Sequence, residues 1–336
     1  MDRRAFLSIA AACSVVGASS TQRARAQSLT RFGDAASYSA ERNGAALLIA
    51  RNGVILTEDY PGGPPETRWQ IGQATKGFTP LLAASLVEDR LLSLDEPAAM
   101  TIGDWGAHPV KSSISIRALL SGTSGLAFDR GGARDLAAAI ALEPVDNPGA
   151  RFIDDAAPYL VFAEIARRKL EAASRESDPA RYLTERTLAP IGCVPMGWTR
   201  APGGAVRFDD GAAVSARGWA QAGELIRRAG VWRARQLADD GALLEAVRGS
   251  FAESRAGFGL WLAAPGRTRD ALPVDSDLWR TRSPAPIDLA MAAGDGGQRL
   301  YICPSEGLVV ARMARSLDAR TSWSDAQFLS LLWRDL

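Results

Sequence analysis

The apolar and polar positions divide the chain into a strand-patterned beginning, a helix-patterned middle and a strand-patterned end. Ala45 to Arg51 and Val54 to Glu58 are apolar runs of strand length. Asn52-Gly53 between them is a two-residue type I′ turn signal, because these residues tolerate the positive φ that both positions need. From about Gln73 to Asp89 the spacing predicts an α-helix, with Phe78, Leu81, Leu82 and Leu86 along one stripe. Leu91 to Pro97 reads as the turn that ends it. Between roughly 100 and 250 helix patterns alternate with turns, most clearly at Pro158–Leu170 and Ala216–Arg228. Strand patterns return at Gly257–Ala263, Asp288–Ala292, Arg299–Cys303 and Leu308–Met313, and a last helix is expected over Trp323–Trp333. Strands at both ends with helices between them predict an α+β fold. The sheet would be antiparallel, flanked by helices and built from both ends of the chain around an inserted helical lobe at about 100–250. A cleft between two lobes is a usual seat for a ligand.

The first 26 residues have a different pattern. Arg3-Arg4-Ala5-Phe6-Leu7 leads into an apolar run from Ile9 to Ala18, and Ala24-Arg25-Ala26 offers an A-x-A cleavage site. This resembles a bacterial twin-arginine (Tat-type) signal peptide, 1–26, and implies a periplasmic or secreted product. The run is too short and too rich in Ala, Ser and Gly for a comfortable bilayer span, so no stable membrane span is expected after cleavage. The remainder of the chain, 27–336, would be a single folded unit of two lobes.

Composition narrows the chemistry. With 39 Lys and Arg against 38 Asp and Glu, and no basic run, nothing points to nucleic acid. His108 is the one histidine and lies in the loop Trp105-Gly106-Ala107-His108-Pro109, which lacks the look of a nucleophile elbow. Beyond the leader only Cys193 and Cys303 remain, either as a disulfide or as two buried thiols. No metal site is expected from so few soft ligands, and no cofactor. Gly294, Gly296 and Gly297 suggest a tight turn beside a pocket, with no P-loop Lys-Ser/Thr after them to hold phosphate. Ser121, Thr123 and Ser124 read as turn and capping residues, and the tryptophans as packing.

Gln73-Ala74-Thr75-Lys76, within Trp69 to Thr79, carries the chemical argument. It resembles the S-x-x-K start of the active-site helix in serine β-lactamases and penicillin-binding proteins. Spacing of three keeps both side chains on one face of a helix. A glutamine amide, however, has no O–H to form an acyl-enzyme. Further segments resemble the class C β-lactamase-related group in order: Ser115 to Leu126 its I-R-x-L-L-x-x-T-S-G-L segment, Pro148 to Phe152 its P-G-x-x-F turn, and Ala189 to Gly192 its x-P-L-G. Gly294-Asp295-Gly296-Gly297-Gln298 with the strand after it resembles the glycine-rich loop of esterases and nylon-oligomer hydrolases of that group. The resemblance implies a β-lactamase/transpeptidase-like fold, with Gln73 at the nucleophile position and Asp154 where the family has its tyrosine; Ala156 stands at the asparagine. No Lys or His takes the third-motif position near Ala292-Ala293-Gly294.

Lys76 and Asp154 are then expected to form a charge pair in place of the Ser–Lys–Tyr proton network. Three functions are open to such a site. A non-hydrolytic pseudoenzyme would bind a small amide or peptide-like ligand, or a protein partner, through Gln73, Lys76, Asp154, Gly294, Gly296, Gly297 and Gln298. An esterase- or amidase-type hydrolase of altered chemistry would use Lys76 and Asp154. A purely structural protein would have its pocket filled by bulky side chains. The first is the reading that the residue types favour, since a paired lysine and aspartate make a poor base and a poor acid.

Overall fold

A computed structural model of the chain describes residues 31–129, 131, 134–266, 271–279, 284–317 and 322–336. The leader and its cleavage site lie outside the described residues.

The chain enters through helix α1 (Gly33–Glu41) and the hairpin β1 (Gly44–Arg51) and β2 (Val54–Asp59). At the turn Asn52 and Gly53 both have positive φ, 51° and 76°, as the sequence requires of a type I′ connection. Helix α2 (Thr79–Glu88) opens the middle of the chain, which also holds α3 (Ile116–Leu120), α4 (Ala157–Ala172) and α5 (Ala216–Arg227). The end supplies β3 (Trp261–Leu262), β4 (Ala290–Gly294), β5 (Gln298–Cys303), β6 (Leu308–Ala314) and α6 (Asp325–Arg334). These strands form one sheet in the order β2-β1-β6-β5-β4-β3, with every pairing antiparallel. The first long strand therefore lies beside the last, closing the sheet from both ends of the chain.

Every residue of β4, β5 and β6 is buried, because both faces of the sheet are covered. Alternation divides their side chains between two cores. Leu47, Ile49, Tyr301 and Val310 pack with Phe32, Phe328 and Leu332 under α1 and α6. Leu48, Leu300, Ile302 and Val309 join the larger core that continues through α2 and α5 into the helical lobe. Two polar devices tie the sheet. Arg299 and Asp325 form a fully buried pair, Nε to Oδ1 2.9 Å, and Gln298 exchanges both amide hydrogen bonds with the backbone of Ala314.

The structure departs from the pattern-based expectation in three places. Residues Gly72–Phe78 form a 3₁₀ segment and the α-helix starts only at Thr79. The Thr75 hydroxyl donates to Gly72 O at 2.6 Å and tightens this first turn to the i→i+3 pattern. The strand expected over Gly257–Ala263 shrinks to Trp261–Leu262, because Gly257 N bonds back to Leu260 O (2.8 Å) in a turn through Gly259, φ 67°. Helix α5, read from sequence as part of the inserted lobe, returns to the sheet and packs on β1, β5 and β6. Gly223 lets it approach, since a Cβ there would stand 2.9 Å from Val309.

Candidate functional site

The 3₁₀ segment is pressed against β4 by two residues without side chains. A Cβ on Gly77 would stand 2.9 Å from that of Ala292, and one on Gly294 would stand 2.0 Å from Ile71 O. Residues three apart eclipse in a 3₁₀ helix, so Gln73 and Lys76 stack on one edge of this segment. Lys76 is buried while Gln73 remains exposed.

Asp154 arrives from the helical lobe. The turn Gly122 to Gly125 pairs with the stretch before α4: Gly149 N donates to Thr123 O at 2.7 Å and Ile153 N to Gly122 O at 2.8 Å. Asp155 accepts from the Ala157 amide at the start of α4 (2.9 Å) and from Phe128 N (3.3 Å). These bonds fix the backbone on both sides of Asp154. Lys76 Nζ then donates to Asp154 Oδ1 at 2.6 Å and to Gln73 Oε1 at 3.3 Å, with both ion-pair side chains 10% exposed. The fold thus brings Gln73, Lys76 and Asp154 together from two distant stretches of sequence.

The pair stands between two cavities that share Gln73, Lys76 and Asp154 in their walls. The first is walled by Phe152, Tyr159, Leu260, Trp261 and Val274, with Asp275 and Asp295 exposed at its edge. Phe152 and Trp261 meet edge to face, ring centroids 6.0 Å apart. The second, the roomier of the two, is charged, with Arg134, Asp155, Arg207, Asp209 and Asp210 around it. Among the described residues lining either cavity there is no serine, threonine or cysteine.

Tyr159 is the phenol nearest the pair, and Lys76 Nζ lies 5.6 Å from its ring centre. It is the third residue of α4, five residues after Asp154. Burial, and after it the negative charges of Asp154 and Asp209, push its phenol well above the usual tyrosine value. It stays protonated at neutral pH and cannot act as a phenolate base. Asp210 is also raised, by burial and by the charges of Asp209 and Asp295, against the pull of Arg207.

The other sequence candidates fall elsewhere. Gly294 lines the first cavity, but Gly296 and Gly297 turn away from it and pack on Ser316 and Arg312. Gln298 is 1% exposed, and its amide is spent on Ala314, so it has no group to offer a ligand. Asp295, between the glycines, is the residue of that loop that reaches the cavity. Ser121 and Thr123 bond each other at 2.9 Å outside the cleft. His108 Nδ1 accepts the Val110 and Lys111 amides and Nε2 donates to Glu143 at 3.0 Å, which makes it a loop clasp. Cys193 and Cys303 are both buried free thiols. Sequence reasoning placed Trp261 in packing and gave Tyr159, Phe152, Asp275 and Asp295 no site role. Phe152 and Asp295 stand inside segments that carry the resemblance, and Tyr159 is the first aromatic after the family's tyrosine position, a signal that could have pointed to it.

An antiparallel sheet closed by the two chain ends, a helical lobe, and a lysine one turn after the nucleophile position at their junction define a β-lactamase/transpeptidase-like fold. The sequence matches the β-lactamase family model over residues 26–329, and the chain belongs to that family. Among solved structures it is similar to a Bacteroides dorei protein named as a β-lactamase: TM-score 0.69, 17% identity, 91% of this chain and 98% of that one covered. A penicillin-binding-protein homologue from Caulobacter crescentus matches at TM-score 0.69 and 15% identity, over 91% and 98% of the two chains. A Bacillus anthracis protein named as a 6-aminohexanoate-dimer hydrolase matches at 0.64 and 15%, over 88% and 78%. No curated protein matches the chain.

Proposed function

We propose that this chain is an exported, non-hydrolytic member of the β-lactamase family that binds a small amide or peptide-like ligand beside Lys76. One observation carries the reading. Lys76 Nζ is committed to Asp154 at 2.6 Å and to Gln73 at 3.3 Å, at the edge of an open cavity. As an ion-paired ammonium, Lys76 has no lone pair with which to take a proton, and Gln73 has no hydroxyl proton to give. Covalent catalysis needs both a nucleophile and a base to activate it. The open cavity also argues against a purely structural protein with a filled pocket. Gln73 presents an amide donor and acceptor to a ligand amide. The amide character of the ligand is further supported by the likeness to a protein named as a 6-aminohexanoate-dimer hydrolase. Export rests on the twin arginines and the A-x-A site of the leader.

Intact-mass spectrometry after incubation with a β-lactam, a p-nitrophenyl ester and a fluorophosphonate tests the reading. The wild-type chain is expected to stay unmodified, and Gln73→Ser to gain little, since Asp154 still occupies Lys76. Gln73→Ser with Asp154→Tyr is expected to label faster than either single variant, a non-additive gain. A stoichiometric adduct on the wild-type cavity would overturn the proposal in favour of a hydrolase working through Lys76 and Asp154.

A further inference from the structure

Among the described residues the charges around the cleft do not balance: six carboxylates and three cations line the two cavities. Lys76 is taken by Asp154, and Arg207 by Asp209, whose Oδ1 accepts its Nε at 3.1 Å. Arg134 lies over the Phe128 ring, 5.8 Å from its centre. Asp275 and Asp295, both exposed on the edge of the aromatic cavity, have no side-chain hydrogen bond or ion pair among the described residues; the cation nearest to Asp275, Arg299, donates to its backbone oxygen and is already paired with Asp325. The raised Asp210 nearby feels the same excess, Asp295 contributing to it. Among the described residues no three His, Cys, Asp or Glu side chains converge closely enough to hold a metal ion. The excess therefore suits an organic cation better than a coordinated one.

A second, independent observation points into the same cavity. Tyr159 is 5% exposed and lines the cavity, and its hydroxyl has no hydrogen-bond partner among the described residues. The ring is buried while the hydroxyl, in a residue that walls the cavity, is left without a protein partner among the described residues, so it is free to bond a ligand. Held protonated, this one can donate to an oxygen that a ligand brings. Phe152, Trp261 and Val274 wall the same cavity and suit an apolar body and, through the aromatic faces, a neighbouring cation.

We propose that the ligand of this cleft is a cationic amide: an apolar body against Phe152 and Trp261, an acceptor oxygen on the Tyr159 hydroxyl, and a protonated amine at Asp275 and Asp295. The proposal rests on the amide-binding reading above and adds the charge. Neither exposed carboxylate carries the fold, so both can be replaced without loss of the core.

Three probes that share one body test it by calorimetry: N-(5-aminopentyl)benzamide, N-pentylbenzamide and 6-benzamidohexanoate. The ammonium probe is expected to bind about tenfold more tightly than the neutral one, the sum of modest ion-pair and cation–π gains. That preference should shrink on raising the salt from about 0.1 M to about 1 M, where charges are screened within a few ångströms, and vanish in Asp275→Asn/Asp295→Asn. Tyr159→Phe should weaken all three probes while leaving the ammonium-to-neutral ratio unchanged. Equal binding of the ammonium and neutral probes, or tightest binding of the carboxylate, would overturn the cationic ligand and leave the amide reading standing. Absence of binding by all three would remove both.

Discussion

The ion pair between Lys76 and Asp154 makes the sharpest quantitative prediction about this chain. At 2.6 Å, unit charges in an effective dielectric of about 20 attract by roughly 6 kcal/mol. Desolvation of two side chains that are each 10% exposed cancels much of that, at several kcal/mol per ion. Deleting one partner removes the attraction and leaves the other's desolvation uncompensated, which for buried pairs costs about 3–5 kcal/mol. The two deletions should differ. Asp154→Leu leaves the ammonium with Gln73 Oε1 at 3.3 Å, so the loss should be about 2 kcal/mol. Lys76→Met leaves the carboxylate without another hydrogen-bond donor among the described residues, and the loss should reach about 3 kcal/mol or more. The double variant replaces the pair with apolar groups of similar size and should return to within about 1 kcal/mol of the starting stability. Urea unfolding observed by tryptophan fluorescence gives each value from the shift in midpoint at constant m. A double variant that loses the sum of the two single losses would refute the pair as a coupled unit. Single losses below about 0.5 kcal/mol would show that neither charge is held as the structure has it.

Much of this fold could be read from pattern, and the reasons for the misses are specific. The hairpin was legible because Asn52-Gly53 can take a conformation that few other pairs can. The β5 and β6 strands were legible from their apolar stretches Leu300–Cys303 and Leu308–Ala311, the mark of strands covered on both faces. The convergence of Gln73, Lys76 and Asp154 was legible through ordered motifs, although no local signal links residues so far apart. Side-chain direction was not legible. Gln298 looked polar and available, yet register in the sheet aims it at Ala314, while Asp295, in the turn just before it, faces the cavity. Nor does periodicity separate a 3₁₀ turn from the first turn of an α-helix, since spacing of three serves both. Trp261 is apolar and buried, and composition cannot tell a core tryptophan from one that walls a cavity.

The leader and the cleft's charge each supply a further test. Replacing Arg3 and Arg4 with Lys should block export, and the exported wild-type product should begin at Gln27 by N-terminal sequencing; export of the variant, or a product beginning at Met1, would remove the targeting proposal. Asp210 supplies a pH-dependent test. Its folded carboxyl holds its proton more tightly than an unfolded aspartate, because burial and the charges of Asp209 and Asp295 outweigh Arg207. A carboxyl raised in this way favours the folded state below the unfolded value near about 3.9, and that contribution is lost as pH rises through the folded value. At neutral pH the ionised Asp210 therefore opposes folding, and Asp210→Asn should melt at a higher temperature than the wild type. The two curves should converge as pH falls below about 4, where the Asp210 carboxyl is neutral in both the folded and the unfolded chain. A lower Tm for the variant at neutral pH would mean that the ionised carboxylate has a stabilising partner, and the excess negative charge assigned to this cleft would then be wrong at Asp210.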